Sequence, residues 1–138
     1  MIEVVPAVPA HMQELARGLR DRDRIEIVGM GSTVEESFTV TWRRSLLRRT
    51  VLLDGEVAAV GGCGGSPMGG TGQPWMLTTA LFERIPIFMV KEGIRQSRAW
   101  LEIFDRLESH VDAGYGRACG FLQAIGFRLD EPVRIPAG

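Results

Sequence analysis

The chain has 138 residues, of which 45% are apolar and 24% charged, and its formal net charge is −1. A single hydrophobic core usually takes about 100–200 residues, so we expect one domain over residues 1–138. Acidic and basic residues balance in both halves of the chain. This removes the long-range field that draws a protein to nucleic acid or to an anionic membrane, and we expect neither as a partner.

Membrane, secreted and metal-binding classes are also disfavoured. No apolar run reaches the ~18 residues of a membrane-spanning helix, and the first residues lack the regions of a secretory signal. The two cysteines, Cys63 and Cys119, are too few for a disulfide framework. With His11 and His110 they do not form a zinc site either. The sequence therefore predicts an intracellular protein without a metal.

The first predicted elements are a strand over residues 2–5 and a helix over about 9–20, where Pro9 suits the first turn. A second helix is predicted over about 33–46, because Ser32 or Thr33 followed by two glutamates resembles a capping box. Its buried stripe is expected to contain Val34, Phe38, Trp42 and Leu46.

A β-hairpin is the clearest local signal. Two β-rich runs, residues 50–53 and 56–60, flank the two-residue turn Asp54-Gly55. Residues 61–72 then contain seven glycines. A glycine-rich phosphate cradle would need a helix directly after it, usually with a Lys. A strand over about 73–79 follows instead, so we interpret residues 61–72 as a flexible loop.

The second half contains the longest predicted helix, over residues 87–104 after Pro86. A strand over 107–111 and a helix over 117–125, capped by Gly126, follow it, and a terminal strand or hairpin closes the chain. The residues expected on the buried face of the long helix are Ile87, Val90, Ile94, Leu101 and Phe104. The element order predicts an α+β domain around a largely antiparallel sheet.

This order resembles the GNAT fold of the Gcn5-related N-acetyltransferases, and Gly120–Phe127 resembles the family's closing helix. The resemblance implies a GNAT-like α+β fold, with a central, mostly antiparallel mixed sheet flanked by helices. In that family a Q/R-x-x-G-x-G/A loop at the start of the long helix binds the acetyl-CoA diphosphate, and a Tyr in the closing helix is the general acid. Here residues 81–89 contain no glycine, Pro86 lacks an N–H group, and Leu122 replaces the Tyr.

Three shorter segments resemble the internal virion protein A family of short-tailed bacteriophages. They are Ala59–Gly64, Trp75–Thr78 and the F-L-x-x-I-G ending over residues 121–126. This resemblance implies a phage or prophage protein that serves as an assembly or internal component. Its expected partners are other phage structural proteins or a second copy in a homo-oligomer, and its expected location is the host cytoplasm during assembly or the virion.

Two functions follow from these resemblances. In the first, which we expect, the chain is a catalytically degenerate GNAT-like protein that acts by protein–protein interaction, with no catalytic residue and no cofactor. The alternative is an active acyl-CoA-dependent N-acetyltransferase that binds acetyl-CoA through an atypical loop, with residues 61–72 helping. A third hypothesis is a different small ligand in a vestigial groove, whose candidate residues are Leu77, Thr78, Thr79 and Tyr115.

Several other residues could carry chemistry, but each has a simpler structural interpretation. Cys63 could be a nucleophile, although a small buried or loop thiol is expected. His110 could act as a base with Glu108, although both suit the polar face of an edge strand. Glu83 and Arg84 are expected to cap the long helix or to face solvent. The basic cluster Arg43, Arg44, Arg48 and Arg49 is expected to be a solvated helix end rather than a nucleic-acid site.

Overall fold

The computed structural model describes residues 1–18, 34–109 and 116–128. Within these ranges the chain forms five strands and four α-helices. The strands are β1 (Ile2–Pro6), β2 (Ser45–Leu53), β3 (Glu56–Gly64), β4 (Thr71–Thr78) and β5 (Arg106–Leu107). The helices are α1 (Pro9–Gly18), α2 (Val34–Arg44), α3 (Pro86–Leu101) and α4 (Gly116–Ala124). No described helix is long and apolar enough to cross a membrane.

The strands form one mixed sheet in the order β1-β2-β3-β4-β5. The first four strands are antiparallel to their neighbours, whereas β5 is parallel to β4 because α3 crosses over between them. Helices flank this sheet, and the predicted α+β class with a mostly antiparallel mixed sheet is confirmed. The terminal strand or hairpin was predicted over residues 127–130 and 133–135; Phe127 and Arg128 are not in a strand, and the rest lies outside the described residues.

The hairpin between β2 and β3 is formed as predicted. Leu53 pairs with Glu56, and the two turn residues between them have positive φ angles, 50° for Asp54 and 81° for Gly55. Two consecutive positive φ values define a type I′ turn, whose twist matches that of the flanking strands. Asp54 tolerates this conformation better than most residues, and Gly55 adopts it without a steric penalty.

Half of the glycine-rich segment is strand, so its interpretation as a flexible loop was wrong at both ends. Gly61–Gly64 belong to β3 and Gly72 to β4, which leaves only residues 65–70 as the connection. The reason is close packing across the sheet. A Cβ atom on Gly62 would lie 3.2 Å from the Trp75 indole nitrogen, and one on Gly72 would lie 2.6 Å from the Phe104 ring.

Each face of the sheet buries its own cluster. On one face, Met12 and Leu15 of α1 pack against Val57 and Val60 of β3. On the other, Met89 of α3 packs against residues of β2 and β3. The register changes between β2 and β3: Val51 pairs with Ala59, but the next residue, Leu52, pairs with Val57. Ala58 is therefore an extra residue that has no paired residue on β2. This β-bulge is why Val57 and Val60, three residues apart, face the same helix.

The buried face of α3 agrees with the predicted one only in part: Phe104, just after the helix, is buried and Val90 and Ile94 are half-buried, but two of the predicted residues are exposed. Ile87 is 73% exposed and Leu101 is 50% exposed. Its buried residues are Met89, Glu92, Ser97 and Trp100. The helix begins at Pro86 so that Ile85 and Met89 face the sheet. Residues three or four positions further along the helix lie on the same face and are buried as well. Leu46, predicted to be buried on α2, lies in β2 and is exposed.

The closing helix α4 ends as predicted. Gly126 has a φ of 107°, and the Phe127 N–H donates to the Leu122 carbonyl at 2.9 Å. This hydrogen bond across six residues defines a Schellman cap. Helix α4 packs on α3, because a Cβ atom on Gly93 would lie 2.8 Å from the Ile125 side chain. Phe121 also makes an edge-to-face contact with Phe82, with ring centroids 5.4 Å apart.

Candidate functional site

The pairing between β4 and β5 covers only the first part of β4. Thr71 pairs with Arg106 and Gly72 with Leu107, and the Glu108 N–H then donates to the Gly72 carbonyl at 2.9 Å. The last contact is the Ser109 hydroxyl on the Pro74 carbonyl at 3.1 Å. From Trp75 onward, β4 has no strand partner on this edge among the described residues. We call this edge the β4 cleft edge; residues 110–115, which follow β5, lie outside the described residues.

Backbone groups rather than side chains are available along this edge. The carbonyls of Gly72 and Pro74 point toward β5, and the alternation of a strand places the Met76 backbone groups on the same edge. The Trp75 side chain points elsewhere, because its indole N–H donates to the Ser45 hydroxyl. That hydroxyl in turn donates to the Thr41 carbonyl.

Of the four predicted groove residues, three are consecutive in the chain, so their closeness does not test the prediction. Leu77 packs with the α1-side cluster, Thr78 and Thr79 are buried, and Tyr115 lies outside the described residues. The Thr79 hydroxyl donates to the Val57 carbonyl at 2.9 Å and accepts from the Leu81 N–H at 3.3 Å. Thr79 therefore joins β3 to the segment after β4, a contact across 22 residues that the sequence pattern did not indicate.

The segment between β4 and α3 is a short 3-10 turn, Ala80–Arg84, that uses its own amide groups. The Phe82 N–H donates to the Thr79 carbonyl at 3.1 Å, and the Ile85 N–H donates to the Phe82 carbonyl at 3.2 Å. Pro86, at the first position of α3, has no N–H group. Glu83 and Arg84 lie in this turn and are exposed, as predicted.

A helix N-terminus binds phosphate through amide groups that have no other partner. Here the amides of Leu81, Phe82 and Ile85 are already hydrogen-bonded, and the exposed residue that follows Pro86 is the apolar Ile87. Leu81, Phe82, Ile85 and Pro86 therefore offer no free amide to a CoA diphosphate, which leaves the amides of Ile87 and Phe88 as the donors at the start of α3. Leu122, in the position of the family's general acid, is half-buried and cannot transfer a proton.

Cys63 is the small buried thiol that we predicted. It is fully buried beside Trp100 and Phe104, and its thiol donates to the Gly64 carbonyl at 3.6 Å. Burial raises the pKa of Cys63 from 9.0 to about 11, which suppresses the nucleophilic thiolate. The Cys119 side chain lies outside the described residues.

The other candidates show no catalytic arrangement in the described part of the chain. His110 lies outside it, and the Glu108 carboxylate forms an ion pair with Arg106. No group of three potential metal ligands occurs within residues 1–18, 34–109 and 116–128. His11 accepts the Val8 N–H at 3.2 Å and lies 2.9 Å from the Thr50 hydroxyl, where it joins α1 to β2.

The arginine cluster divides into two parts. Arg43 and Arg44 form the exposed last turn of α2, as predicted for a solvated helix end. Arg48 and Arg49 lie in β2 instead. The Arg48 guanidinium stacks on the Trp42 ring at 3.9 Å and donates to the Trp42 carbonyl at 3.0 Å, so it closes the C-terminal end of α2.

Solved structures with this architecture are similar to the chain over nearly its whole length. A GNAT-family acetyltransferase from Streptococcus pneumoniae is 18% identical, with a TM-score of 0.63, over 94% of this chain and 86% of the other. AAC(6')-Iy, in complex with a CoA-containing bisubstrate analogue, is 13% identical, with a TM-score of 0.64, over 99% and 97%. The chain has the GNAT fold. No family model and no curated protein matches its sequence.

A third solved structure broadens the roles associated with this GNAT fold. A transcriptional regulator from Bacillus halodurans C-125 is 11% identical, with a TM-score of 0.65, and covers 99% of both chains. Identities this low establish the fold of the present chain and leave its activity to the residues of the site. In this chain the cleft edge of β4 is present. Where the family has its diphosphate loop, the chain has a 3-10 turn with hydrogen-bonded amides, which we call the closed turn.

Proposed function

We propose that this chain is a catalytically degenerate GNAT-fold protein that acts through protein–protein contacts as a virion or assembly component of a phage or prophage. The observation that carries the loss of catalysis is the closed turn after β4. Its amides are hydrogen-bonded to Thr79 and Phe82, and Pro86 removes another donor. A CoA diphosphate could therefore not bind the amides of Leu81, Phe82 and Ile85 without breaking their hydrogen bonds.

The phage assignment rests on the resemblance of three segments to internal virion protein A. Two of them occupy neighbouring places in the fold: Ala59–Gly64 is the second part of β3, and Trp75–Thr78 is the part of β4 that pairs with it. The third contains the residues with which α4 packs on α3. The matching segments are therefore structural, which favours a shared fold and assembly role over a shared reaction.

An acyl-CoA-dependent N-acetyltransferase is the second candidate, and the separation of β4 from β5 favours it. The Met76 backbone groups lie on the cleft edge, where they could bind the amide groups of a pantetheine arm without help from the turn. In that case acetyl-CoA would be the cofactor, bound mainly by β4 rather than by its diphosphate.

Ligand binding measured by thermal unfolding and calorimetry separates the two candidates. The purified protein is titrated with acetyl-CoA, and in parallel with acetyl-pantetheine, which lacks the diphosphate. A ligand at 100 times its dissociation constant adds about 2.7 kcal/mol and raises Tm by several degrees. The degenerate protein is expected to respond to neither compound. A saturable response to both with similar affinity supports the second candidate. A strong response to acetyl-CoA alone would show that the diphosphate contributes to binding, which contradicts the argument from the hydrogen-bonded turn.

The virion role has a separate test. Particles are purified from the phage or induced prophage that encodes the chain, and their proteins are identified by mass spectrometry at each step of assembly. We expect the chain in assembly intermediates or mature particles. Its absence from all of them, at normal expression in the infected cell, would contradict the phage assignment without affecting the argument about the turn.

A further inference from the structure

One end of the sheet exposes charged and apolar residues together. Ser45, which opens β2, pairs with Gly64 at the end of β3, and Gly64 pairs with Gln73 near the start of β4. The Asp105 N–H donates to the Gly70 carbonyl at 2.8 Å, so the segment before β5 ends at the same level. We call this end the basal surface, and it is opposite the turn after β4. Its exposed residues are Arg43, Arg44, Leu47, Met68, Glu102 and Asp105.

The basal surface carries opposite charges at its two sides. Arg43 and Arg44 lie beside β2, where the Arg44 carbonyl is 3.6 Å from the Cβ position of Gly64. Glu102 and Asp105 lie before β5, which is three strands away, or about 14 Å at the usual strand spacing. None of these four residues has an ion-pair partner among the side chains that the structure describes.

Apolar side chains are exposed at the same end of the sheet. Met68, in the connection between β3 and β4, is 99% exposed, and Leu47 is 39% exposed. Leu47 also has a φ of 54°, the left-handed conformation that a non-glycine residue rarely adopts. A bulge between Leu46 and Arg49 holds it there, at the end of the strand rather than in the core.

We propose that the basal surface binds a second copy of the same chain, related by a two-fold axis. In a two-fold interface each contact occurs twice, so the arginine pair of one copy faces Glu102 and Asp105 of the partner subunit, and the reverse. The apolar residues then form the centre, and the charges the rim, as in ordinary protein interfaces. The presence of both signs on one surface favours a second copy, because a membrane or nucleic acid would meet the carboxylates as well as the arginines.

This inference goes beyond the proposed function. It deepens the protein–protein role by naming one partner, but it concerns the opposite end of the sheet from the turn. Its failure is therefore distinguishable from that of the proposed function: acetyl-CoA binding tests the turn, and self-association tests the basal surface.

The test is a charge exchange followed by sedimentation velocity, with protein concentrations from micromolar to about 1 mM. The wild type is expected to dimerise, less strongly as salt rises. The double variants R43E/R44E and E102R/D105R are each expected to raise the dissociation constant at least about tenfold. An equimolar mixture of the two restores the dimer, because the mixed dimer has one native contact and one contact reversed on both sides, and both pair opposite charges. The control R17E/K91E, with two exposed basic residues elsewhere, leaves it unchanged.

Met68→Ser provides an independent variant, since a side chain that is 99% exposed contributes little to folding. It is expected to weaken the dimer without changing Tm at concentrations where the protein is monomeric. A wild type that stays monomeric throughout would overturn the proposal. So would folded charge variants that dimerise as the wild type does, or a mixture that fails to recover.

Discussion

The two ends of strand β4 are stabilised by different forces. At its start, Gly72 lies against Phe104, Cys63 and Leu107 so closely that a Cβ atom would be within 2.9 Å of all three side chains. At its end, Thr79 holds the following turn by hydrogen bonds to β3 and to Leu81. Close packing thus determines where β5 joins β4, whereas polar contacts determine the shape of the turn.

The two ends also differ in the side chains that they expose to solvent. The tightly packed start of β4 belongs to the end of the sheet where Arg43, Arg44, Glu102 and Asp105 are exposed without ion-pair partners among the described residues. The hydrogen-bonded end uses its amides internally and exposes the apolar Ile87. In a GNAT fold a phosphate-bearing ligand would be expected at that second end. The two ends therefore differ in how they are held together and in what they expose, and three changes test this comparison.

The largest expected effect comes from Gly72→Val, which would break the packed end. The new side chain must displace the Phe104 ring, the Cys63 sulfur and Leu107, so we expect a loss of about 3 kcal/mol in the free energy of unfolding. Urea denaturation measures it. Gly69→Ala, where a Cβ atom meets nothing within 4 Å, is the matched control and should change stability by less than about 0.5 kcal/mol. Equal stability of the two variants would contradict the packing argument.

Thr79→Val tests the hydrogen-bonded end and is expected to cost about 2 kcal/mol, because it leaves the Val57 carbonyl and the Leu81 amide without their partner. The amide of Leu81 should also exchange with solvent faster, which hydrogen exchange detects. Thr79→Ser keeps the hydroxyl and is the control. If Thr79→Val left the exchange of the turn unchanged, the turn would not depend on Thr79, and the contrast between the two ends would fail.

The features that the sequence predicted are those with local causes. The Asp54-Gly55 turn and the cap at Gly126 depend on the conformations of one or two residues, so they could be recognised directly. The order of the elements followed from similar signals. Together these sufficed for the fold class.

What the sequence did not predict depends on contacts between distant segments. The composition of Gly61–Gly64 is typical of a loop. The reason for glycine in this strand is visible only in the structure, where the Trp75 and Arg48 side chains pack against Gly62 and leave no room for a Cβ atom. The buried face of α3 includes Glu92 and Ser97, whose polarity concealed it. At the candidate site Thr79 was predicted as a groove residue, but its bond to Val57 could not be inferred from spacing.

The smallest expected effect concerns Cys63, whose thiol is buried at the start of β4. Its titration and its reactivity report how often the packed end opens to solvent. Burial raises its pKa from 9.0 to about 11, so the unfolded chain loses the thiol proton first as pH rises. The contribution of Cys63 to stability is therefore complete below about pH 9 and is lost progressively toward pH 11. The difference in unfolding free energy between wild type and Cys63→Ala should be smaller at pH 10 than at pH 7.

Mass spectrometry of the Cys63 peptide should also show slow alkylation by iodoacetamide in the native protein and fast alkylation in urea. Equally fast native alkylation would mean that the start of β4 opens as readily as a hydrogen-bonded turn, which removes the contrast between the two ends.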